Sequence, residues 1–208
     1  MPLARSVYNS NHPADSGQPR ASARRPLIDP EKTTARREPS REFLGEQRAY
    51  FMTFDSKKQR KIMGQFATGV TVVTTGGEAG LHGLTANAIA SLSLNPPLVL
   101  VAIDKGAHSL DYLKKNRCFA VNILRLDQEA ISRRFATPGP KNFAGIDIAT
   151  AATAAPILSD CLAFVDCRVV EILPGGDHEI FVGEIVAGEF HGGEPLLYFA
   201  AGYRQLAE

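Results

Sequence analysis

The chain has no tryptophan, three cysteines and a formal net charge of only +1. This charge balance does not indicate a nucleic-acid or membrane partner. Cys118, Cys161 and Cys167 have no CxxC spacing, and each lies in or beside an apolar run where a small thiol packs well. We therefore expect three buried core thiols in a cytoplasmic protein, because the cytosol keeps thiols reduced.

Long apolar runs and the common catalytic motifs are also missing. No run approaches the roughly 20 residues that a membrane-spanning helix needs, and residues 1–11 lack the apolar core of a secretory signal. GxGxxG, the P-loop, GxSxG, HExxH and clustered Cys/His ligands do not occur, so the sequence predicts no metal site. Any chemistry must be carried by less conspicuous segments.

The first part of the chain differs in composition from the rest. Residues 1–50 hold nine Lys/Arg against six Asp/Glu, are rich in Pro and Ser, and show little apolar periodicity. Such a segment cannot bury enough surface to offset its ordering entropy. We predict a disordered N-terminal extension over residues 1–51 and one domain over residues 52–208. The extension is either an appendage or the product of an upstream start codon, and a basic tail that docks on a partner is the third alternative.

The domain is predicted to begin with a helix and continue mainly as strands. Asp55 or Ser56 can N-cap a helix that runs through Phe66, and Gly69 fits the left-handed position that ends it. Strands separated by hairpins more often than by helices favour a closed antiparallel barrel over a parallel sheet. The predicted strands are residues 70–75, 81–94, 98–103, 118–124, 167–173, 180–190 and 195–199; the short helices are 108–116 and 127–136; a loop spans 137–156.

The stretch GGDHEIFVG at residues 175–183 predicts a histidine at the tip of a hairpin. Alternating β-branched and polar residues flank Gly175-Gly176, so the two glycines are interpreted as the connection. His178 then stands on a rigid turn, where its ring can hydrogen-bond, stack or titrate near neutral pH. A solvated turn histidine without a ligand is the alternative.

Two further segments offer ligand-binding groups. Residues 84–94 mix small and hydroxyl side chains, so the backbone can approach a planar ligand, although an ordinary half-buried strand has the same pattern. Residues 103–109 end a strand and open a helix, which places free N–H groups, the positive end of the helix dipole and Lys105 where a phosphate can bind. A strand-to-helix turn with glycine is also common without any anion.

The end of the second short helix is ambiguous. Arg133 and Arg134 are cations at a helix C-terminus, which the helix dipole alone explains. Together with Phe135 and the loop residues Lys141, Asn142 and Phe143 they also form a group that could hold the phosphates of a dinucleotide and stack on its base.

Four segments taken together resemble the flavin reductase-like family, the small NAD(P)H:flavin oxidoreductases that supply reduced flavin to two-component monooxygenases. The resemblance covers about residues 52–206 in the same order and spacing. The segments are GQFATGVTVVTT (64–75), LTANAIASLSLNPPL (84–98), PGGDH (174–178) and PLLYFAAGY (195–203).

The resemblance implies an FMN-binding split barrel that forms a homodimer, binds FMN or FAD, and takes hydride from NADH or NADPH. His178 would act on the nicotinamide side as an orienting or proton-delivering residue, with Phe135 and Tyr203 nearby. The other implied flavin contacts are Thr71, Thr85, Ala86, Asn87 and Ser91, with the phosphate at Lys105, Gly106 and Ala107. Many relatives have Ser or Thr at positions 106 and 107, so the missing hydroxyls favour exchangeable flavin.

Two alternatives to free-flavin reduction remain open from the sequence. The first is a split-barrel protein with tightly bound FMN as a prosthetic group that acts on another small substrate. The second is a non-catalytic flavin-binding protein that keeps the barrel without nicotinamide turnover.

Overall fold

The computed structural model describes residues 54–207, and the predicted extension over residues 1–51 lies outside the described residues. The described part contains three α-helices, one 3-10 helix and twelve strands. In chain order they are α1 (Ser56–Met63), β1 (Thr68–Gly69), β2 (Thr71–Thr75), β3 (His82–Ala86), β4 (Ile89–Leu94), β5 (Pro97–Asp104), α2 (Ser109–Asn116), β6 (Cys118–Ile123), the 3-10 helix (Leu126–Gln128), α3 (Glu129–Ala136), β7 (Ile148–Ala149), β8 (Ile157–Leu158), β9 (Ala163–Gly175), β10 (His178–Phe190), β11 (Leu197–Phe199) and β12 (Gly202–Arg204).

Seven strands form one antiparallel sheet in the order β3-β2-β6-β9-β10-β5-β4. The two edge strands, β3 and β4, are consecutive in the chain and are joined by residues 87 and 88 alone. So short a link cannot span an open seven-stranded sheet, because neighbouring strands are about 4.8 Å apart. The sheet must therefore roll until its edges meet, and the unpaired junction of β3 with β4 is a split in the barrel.

Alternate residues of the central strands pack into two hydrophobic clusters. Val72 of β2 and Ala120 of β6 belong to one cluster, whereas their neighbours Val73 and Phe119 belong to the other. This period of two is the geometry of strands that are buried on both faces. Helix α3 covers the first cluster with Phe135, and α2 contributes Leu110 and Leu113 to the second.

The predicted hairpin and the three predicted core thiols are confirmed. The predicted hairpin is present, and β9 and β10 pair antiparallel over nearly their whole length. Its turn lies one residue later than predicted, at Gly176 (φ +73°) and Asp177, because Gly175 is the last residue of β9 and pairs with His178. All three cysteines are free and buried, and burial raises the pKa of Cys161 to about 11 and that of Cys167 to about 12. No helix in residues 54–207 has the length and apolarity to cross a membrane.

The first helix differs from its prediction. Helix α1 is N-capped by Asp55 as expected, but it ends at Met63 with Gly64 as its C-cap in a right-handed conformation. Gly69 does not have a positive φ; it lies in β1 and pairs with Leu197, which requires an extended backbone. The strand pairing thus replaces the predicted left-handed helix end.

The segments predicted as residues 81–94 and 137–156 also differ in detail. The first divides into β3 and β4 at the split of the barrel. The second contains β7, which pairs with β8. The buried carboxylate of Asp166 accepts hydrogen bonds from the backbone N–H groups of Ala152 and Thr153, at 2.8 and 2.7 Å, so it fixes a stretch whose composition predicted an irregular loop.

Gly183 is a position where the barrel interior has no room for a side chain. A Cβ there would lie 2.5 Å from Cζ of Phe119 and 2.8 Å from Cβ of Cys167. We predict that Gly183→Ala lowers the free energy of unfolding by about 1–3 kcal/mol, the usual cost of overpacking a core. Chemical denaturation with Gly69→Ala as control tests this, because a Cβ on Gly69 meets no atom within 4 Å. Equal stabilities of the two variants would contradict the prediction.

Candidate functional site

A cavity of about 250 Å³, here cavity A, lies beside the split of the barrel. Thr85, Ala86 and Asn87 reach it from the end of β3, and Tyr203 reaches it from β12. These are four of the residues that the sequence predicts as ligand contacts. The remaining lining residues are Val70, Ser132, Ala136 and Tyr198.

Hydrogen bonds to α3 hold the walls of cavity A in place. The hydroxyl of Thr85 donates to the carbonyl of Ser132 at 2.6 Å, and Oγ of Ser132 lies 2.9 Å from the phenol oxygen of Tyr203. The guanidinium of Arg133 lies 4.8 Å from the centre of the Tyr203 ring, within the range of a cation–π interaction. Both sides of the cavity are therefore tied to one helix, which fixes the width of the cavity.

Two predicted contacts do not line this cavity. The hydroxyl of Thr71 donates to the carbonyl of Ala86 at 2.6 Å, so Thr71 positions the backbone of β3 from behind. Ser91 is exposed on β4, next to a register shift between β4 and β5. Their direct contact with a flavin stays a prediction.

A second cavity of about 470 Å³, here cavity B, shares Thr85 and Ala136 with cavity A. The two cavities therefore adjoin along the same wall. Phe135 is almost fully buried in the wall of cavity B, and Gly83 makes room for it, since a Cβ on Gly83 would lie 2.8 Å from the Phe135 ring. Cavity B is further lined by His82, Leu84, Asp104, Gly106, Ala107, His108, Ser109, Thr137, Pro138, Gly139 and Lys141.

Two of the three residues predicted to bind a phosphate lie at this second cavity, and all three already make a hydrogen bond within the protein. Gly106 and Ala107 line it, yet the N–H of Gly106 donates to the Asp104 carboxylate at 2.6 Å and that of Ala107 to the Asp104 carbonyl at 3.0 Å. Nζ of Lys105 donates to the carbonyl of Gly176 at 2.6 Å. The phosphate contact of these three residues stays a prediction.

His178 stands at the tip of the β9–β10 hairpin, as predicted, and next to cavity B. It pairs in register with Asp104, which lines that cavity. Nδ1 of His178 lies 2.7 Å from the carboxylate of Asp177, and this hydrogen bond holds the pKa of Asp177 below its usual value. The arrangement leaves Nε2 for a ligand, although His178 lines neither cavity.

His82 is the most unusual polar residue of cavity B. Its side chain is buried, with only 3% of the residue exposed, and neither ring nitrogen has a hydrogen-bond partner among residues 54–207. The ring packs against Tyr112 with centroids 4.6 Å apart. Burial lowers the pKa of His82 below its usual value, and the charges of Lys141 and His108 lower it further, while the nearby backbone groups of Gly139 and Gly83 oppose the shift.

Sequence reasoning did not single out His82, Ser109, Ser132 or Tyr198 as site residues. Ser132 lies beside the arginines of α3, and its spacing of three residues from Phe135 places both on one helix face. Helical periodicity could therefore have identified Ser132 as a neighbour of the predicted contact Phe135. His82 lies three residues before Thr85 on β3, but no local pattern indicates that its ring lacks a partner.

Comparisons with known proteins agree with this geometry. The model of the flavin reductase like domain family matches residues 63–207. The chain belongs to the flavin reductase-like domain family. Over 145 residues, this flavin reductase-like domain is 39% identical to the reductase component of a 4-nitrophenol 4-monooxygenase/4-nitrocatechol 2-monooxygenase from Rhodococcus opacus. The matched region covers 70% of this chain and 78% of the relative.

The names of two further relatives mention a flavin. The domain is 36% identical over 157 residues to FMN reductase (NADH) RutF 2 of Rhizobium rhizogenes, covering 73% of this chain and 91% of the relative. A solved structure of the NADH:FAD oxidoreductase SgcE6 of Streptomyces globisporus, in complex with NAD and FAD fragments, is similar with a TM-score of 0.70 and 35% identity, covering 74% of this chain and 93% of that one. The predicted family and split-barrel fold are confirmed.

The residues present fit a flavin. Small side chains and an aromatic wall line cavity A, which suits a planar ring system. Cavity B adjoins it and has unpartnered buried polar atoms on His82 and Ser109, together with the start of α2, which suits an anionic tail. The flavin reductase-like domain thus offers one continuous groove with an apolar end and a polar end.

The low pKa of His82 gives a pH prediction. The unfolded chain binds a proton on this histidine below about pH 6.5, whereas the folded protein resists it, so the free energy of unfolding falls as the pH falls. We predict that the parent loses more stability between about pH 7 and about pH 5 than His82→Gln does. Urea denaturation across that range measures this. Parallel curves for the two proteins would show that His82 titrates normally.

Proposed function

We propose that this chain catalyses the reduction of free FMN or FAD by NADH or NADPH and supplies the reduced flavin to a monooxygenase. The observation that carries the proposal is the groove of cavities A and B at the split of the barrel, lined by Thr85, Ala86, Asn87 and Tyr203. The names of several relatives support it, because they are reductase components of monooxygenases or NADH-dependent flavin reductases.

The protein's contribution to such a reaction is binding and orientation. A bound flavin supplies the hydride acceptor, and the bond-making belongs to the cofactors. Thr85 and Asn87 present polar groups beside small residues of β3, and the Ser132–Tyr203 hydrogen bond keeps the opposite wall rigid. Preorganised walls of this kind lower the entropic cost of stacking two ring systems.

His178 is proposed to act at the nicotinamide end. Its Nδ1 is held by Asp177, so the ring has a fixed orientation and its Nε2 can donate to or accept from a ligand. The hairpin tip that carries it is anchored to the barrel, because the N–H of Lys105 donates to the carbonyl of Asp177 at 3.0 Å. Such a residue can orient the nicotinamide or deliver a proton without serving as an obligatory base.

Three further expectations remain part of this proposal. We propose a homodimer, supported by the exposed apolar side chains of Leu92 and Leu94 on edge strand β4, which are 48% and 69% exposed. We also propose a cytoplasmic location, and we propose that residues 1–51 are an appendage that flavin reduction does not require.

The proposed function predicts that nicotinamide oxidation depends on added flavin. Deflavinated full-length protein should oxidise NADH or NADPH only when free FMN or FAD is supplied, because Gly106 and Ala107 offer no hydroxyl donors to retain a phosphate tightly. Loss of reduced-nicotinamide absorbance, measured for each combination of flavin and nicotinamide, tests this. Full turnover without added flavin would contradict it, and a protein that stays yellow after dialysis would favour a prosthetic flavin.

His178→Ala should impair the nicotinamide half of the reaction more than flavin binding. Loss of one hydrogen bond predicts a KM for NADH or NADPH that rises about 2- to 10-fold. Stopped-flow reduction of bound flavin separates this effect from slower chemistry. His191→Ala is a suitable control, because His191 follows the opposite end of β10 and bonds the Cys161 carbonyl. If His178→Ala reduces flavin with unchanged nicotinamide dependence, His178 is a solvated turn residue.

A further inference from the structure

The side chain of Tyr203 lies between two cavities. Tyr203 lines cavity A, and it also lines a further cavity of about 320 Å³, here cavity C. Within residues 54–207 it is the residue that the two linings have in common. The other lining residues of cavity C are Leu126, Glu129, Leu196, Arg204 and Gln205. The Tyr203 ring therefore acts as a partition, and its position limits the width of cavity A.

Helix α3 holds this partition through two contacts. Oγ of Ser132 lies 2.9 Å from the phenol oxygen of Tyr203, and the guanidinium of Arg133 lies 4.8 Å from the centre of its ring. Glu129 in turn holds Arg133 through an ion pair of 2.6 Å. The three helix residues have the spacing i, i+3, i+4, which places their side chains on one face of α3. One helix face thus supports the whole partition.

Ser132 is fully buried, and its two polar groups serve opposite walls of cavity A. Its hydroxyl bonds Tyr203, whereas its backbone carbonyl accepts the hydrogen bond of the Thr85 hydroxyl at 2.6 Å. A side-chain substitution removes the first bond and leaves the second in place. Ser132→Ala therefore releases the Tyr203 wall alone.

The hairpin that carries Tyr203 contains a strained turn. Ala200 and Ala201 join β11 to β12 with φ of +47° and +61°, a left-handed conformation that costs free energy in a residue with a Cβ. The N–H of Ala200 donates to the carbonyl of Gly64 at 2.9 Å, which helps to hold the turn. Tyr198 and Tyr203 pair across the hairpin, and both line cavity A. A strained turn that presents two aromatic rings to one cavity indicates that their placement matters for the site.

We infer that Ser132 is a positioning residue for flavin reduction, whose hydroxyl fixes the Tyr203 partition and so keeps two ring systems stacked in cavity A. The inference rests on the proposed function. Hydride transfer moves two electrons and one proton from the reduced nicotinamide, which is oxidised, to the flavin, which is reduced, so the protein need only hold the rings in contact. A partition that is free to move towards cavity C widens cavity A and lets the rings separate.

The position of the Tyr203 ring can be observed without any cofactor. In full-length protein labelled with 3-fluorotyrosine, Tyr203→Phe identifies the fluorine NMR signal of Tyr203. Ser132→Ala should shift and broaden this signal, because the ring loses its fixed partner. Thr75→Val is the matched control, since it removes another buried hydroxyl, which donates to the carbonyl of Cys118 at 2.8 Å, and it should leave the signal unchanged.

The kinetics of the same variants test the role in the reaction. The limiting rate constant for reduction of bound flavin, measured by stopped flow at saturating NADH or NADPH, should fall about 3- to 10-fold in Ser132→Ala, the effect of one lost hydrogen bond. The Kd of FMN, titrated in the absence of nicotinamide, should stay nearly unchanged, because the Thr85 wall keeps its bond. Thr75→Val should match the parent in both measurements.

Two further variants distinguish positioning from a general loss of stability. Tyr203→Phe keeps the ring and removes the phenol oxygen, so it should slow reduction as much as Ser132→Ala does, and the double variant should be no slower than either single one. Ser132→Thr keeps the hydroxyl and should restore most of the rate. If the added methyl group prevents folding at this buried position, the comparison of single and double variants decides the question.

Four results would overturn the inference. They are an unchanged fluorine signal in Ser132→Ala, an unchanged rate in that variant, rate losses of the two single variants that add in the double variant, and an equal rate loss in Thr75→Val. Failure of the proposed function is distinguishable from these, because the parent would then transfer no hydride to flavin from either nicotinamide. The fluorine signal would still report whether Ser132 fixes Tyr203, but the inferred role in the reaction would fall.

Discussion

The short link between the two edge strands is the constraint on which the structure depends. β3 and β4 lie at opposite edges of a seven-stranded sheet, and residues 87 and 88 join them. The sheet closes because this link is short, but β3 and β4 do not pair, so their unpaired edges leave a groove. Thr85 and Ala86 are the last residues of β3, and Asn87 is the first residue of the link. The topology therefore places all three at that groove.

Helix α3 converts this groove into a shaped site. Its Ser132 bonds both Thr85 and Tyr203, and its Phe135 fills the space that Gly83 leaves beside β3. The side chains of one helix therefore set the walls of cavity A and part of the wall of cavity B. Because these contacts are made within the protein, they support the shape of the groove, and this support lowers the cost of ordering it when a ligand binds.

The fold and the apolar end of the site could be predicted from the sequence, whereas the polar end could not. Four segments carried the family resemblance, and local turn chemistry placed His178 on its hairpin. The partners of Gly106 and the lack of partners at His82 depend on contacts between distant parts of the chain, such as the packing of Tyr112 on His82. Local patterns predict where donors lie but not which of them the folded protein has already used.

The hairpin tip and the turn at residues 104–106 form one mechanical unit. His178 pairs with Asp104, the N–H of Lys105 binds the carbonyl of Asp177, and Nζ of Lys105 binds the carbonyl of Gly176. Removal of the Lys105 side chain therefore loosens the turn that carries His178, besides removing a charge. A Lys105 substitution that disturbs nicotinamide use is thus explained by displacement of His178, and only a selective loss of phosphate-bearing flavins indicates a phosphate contact.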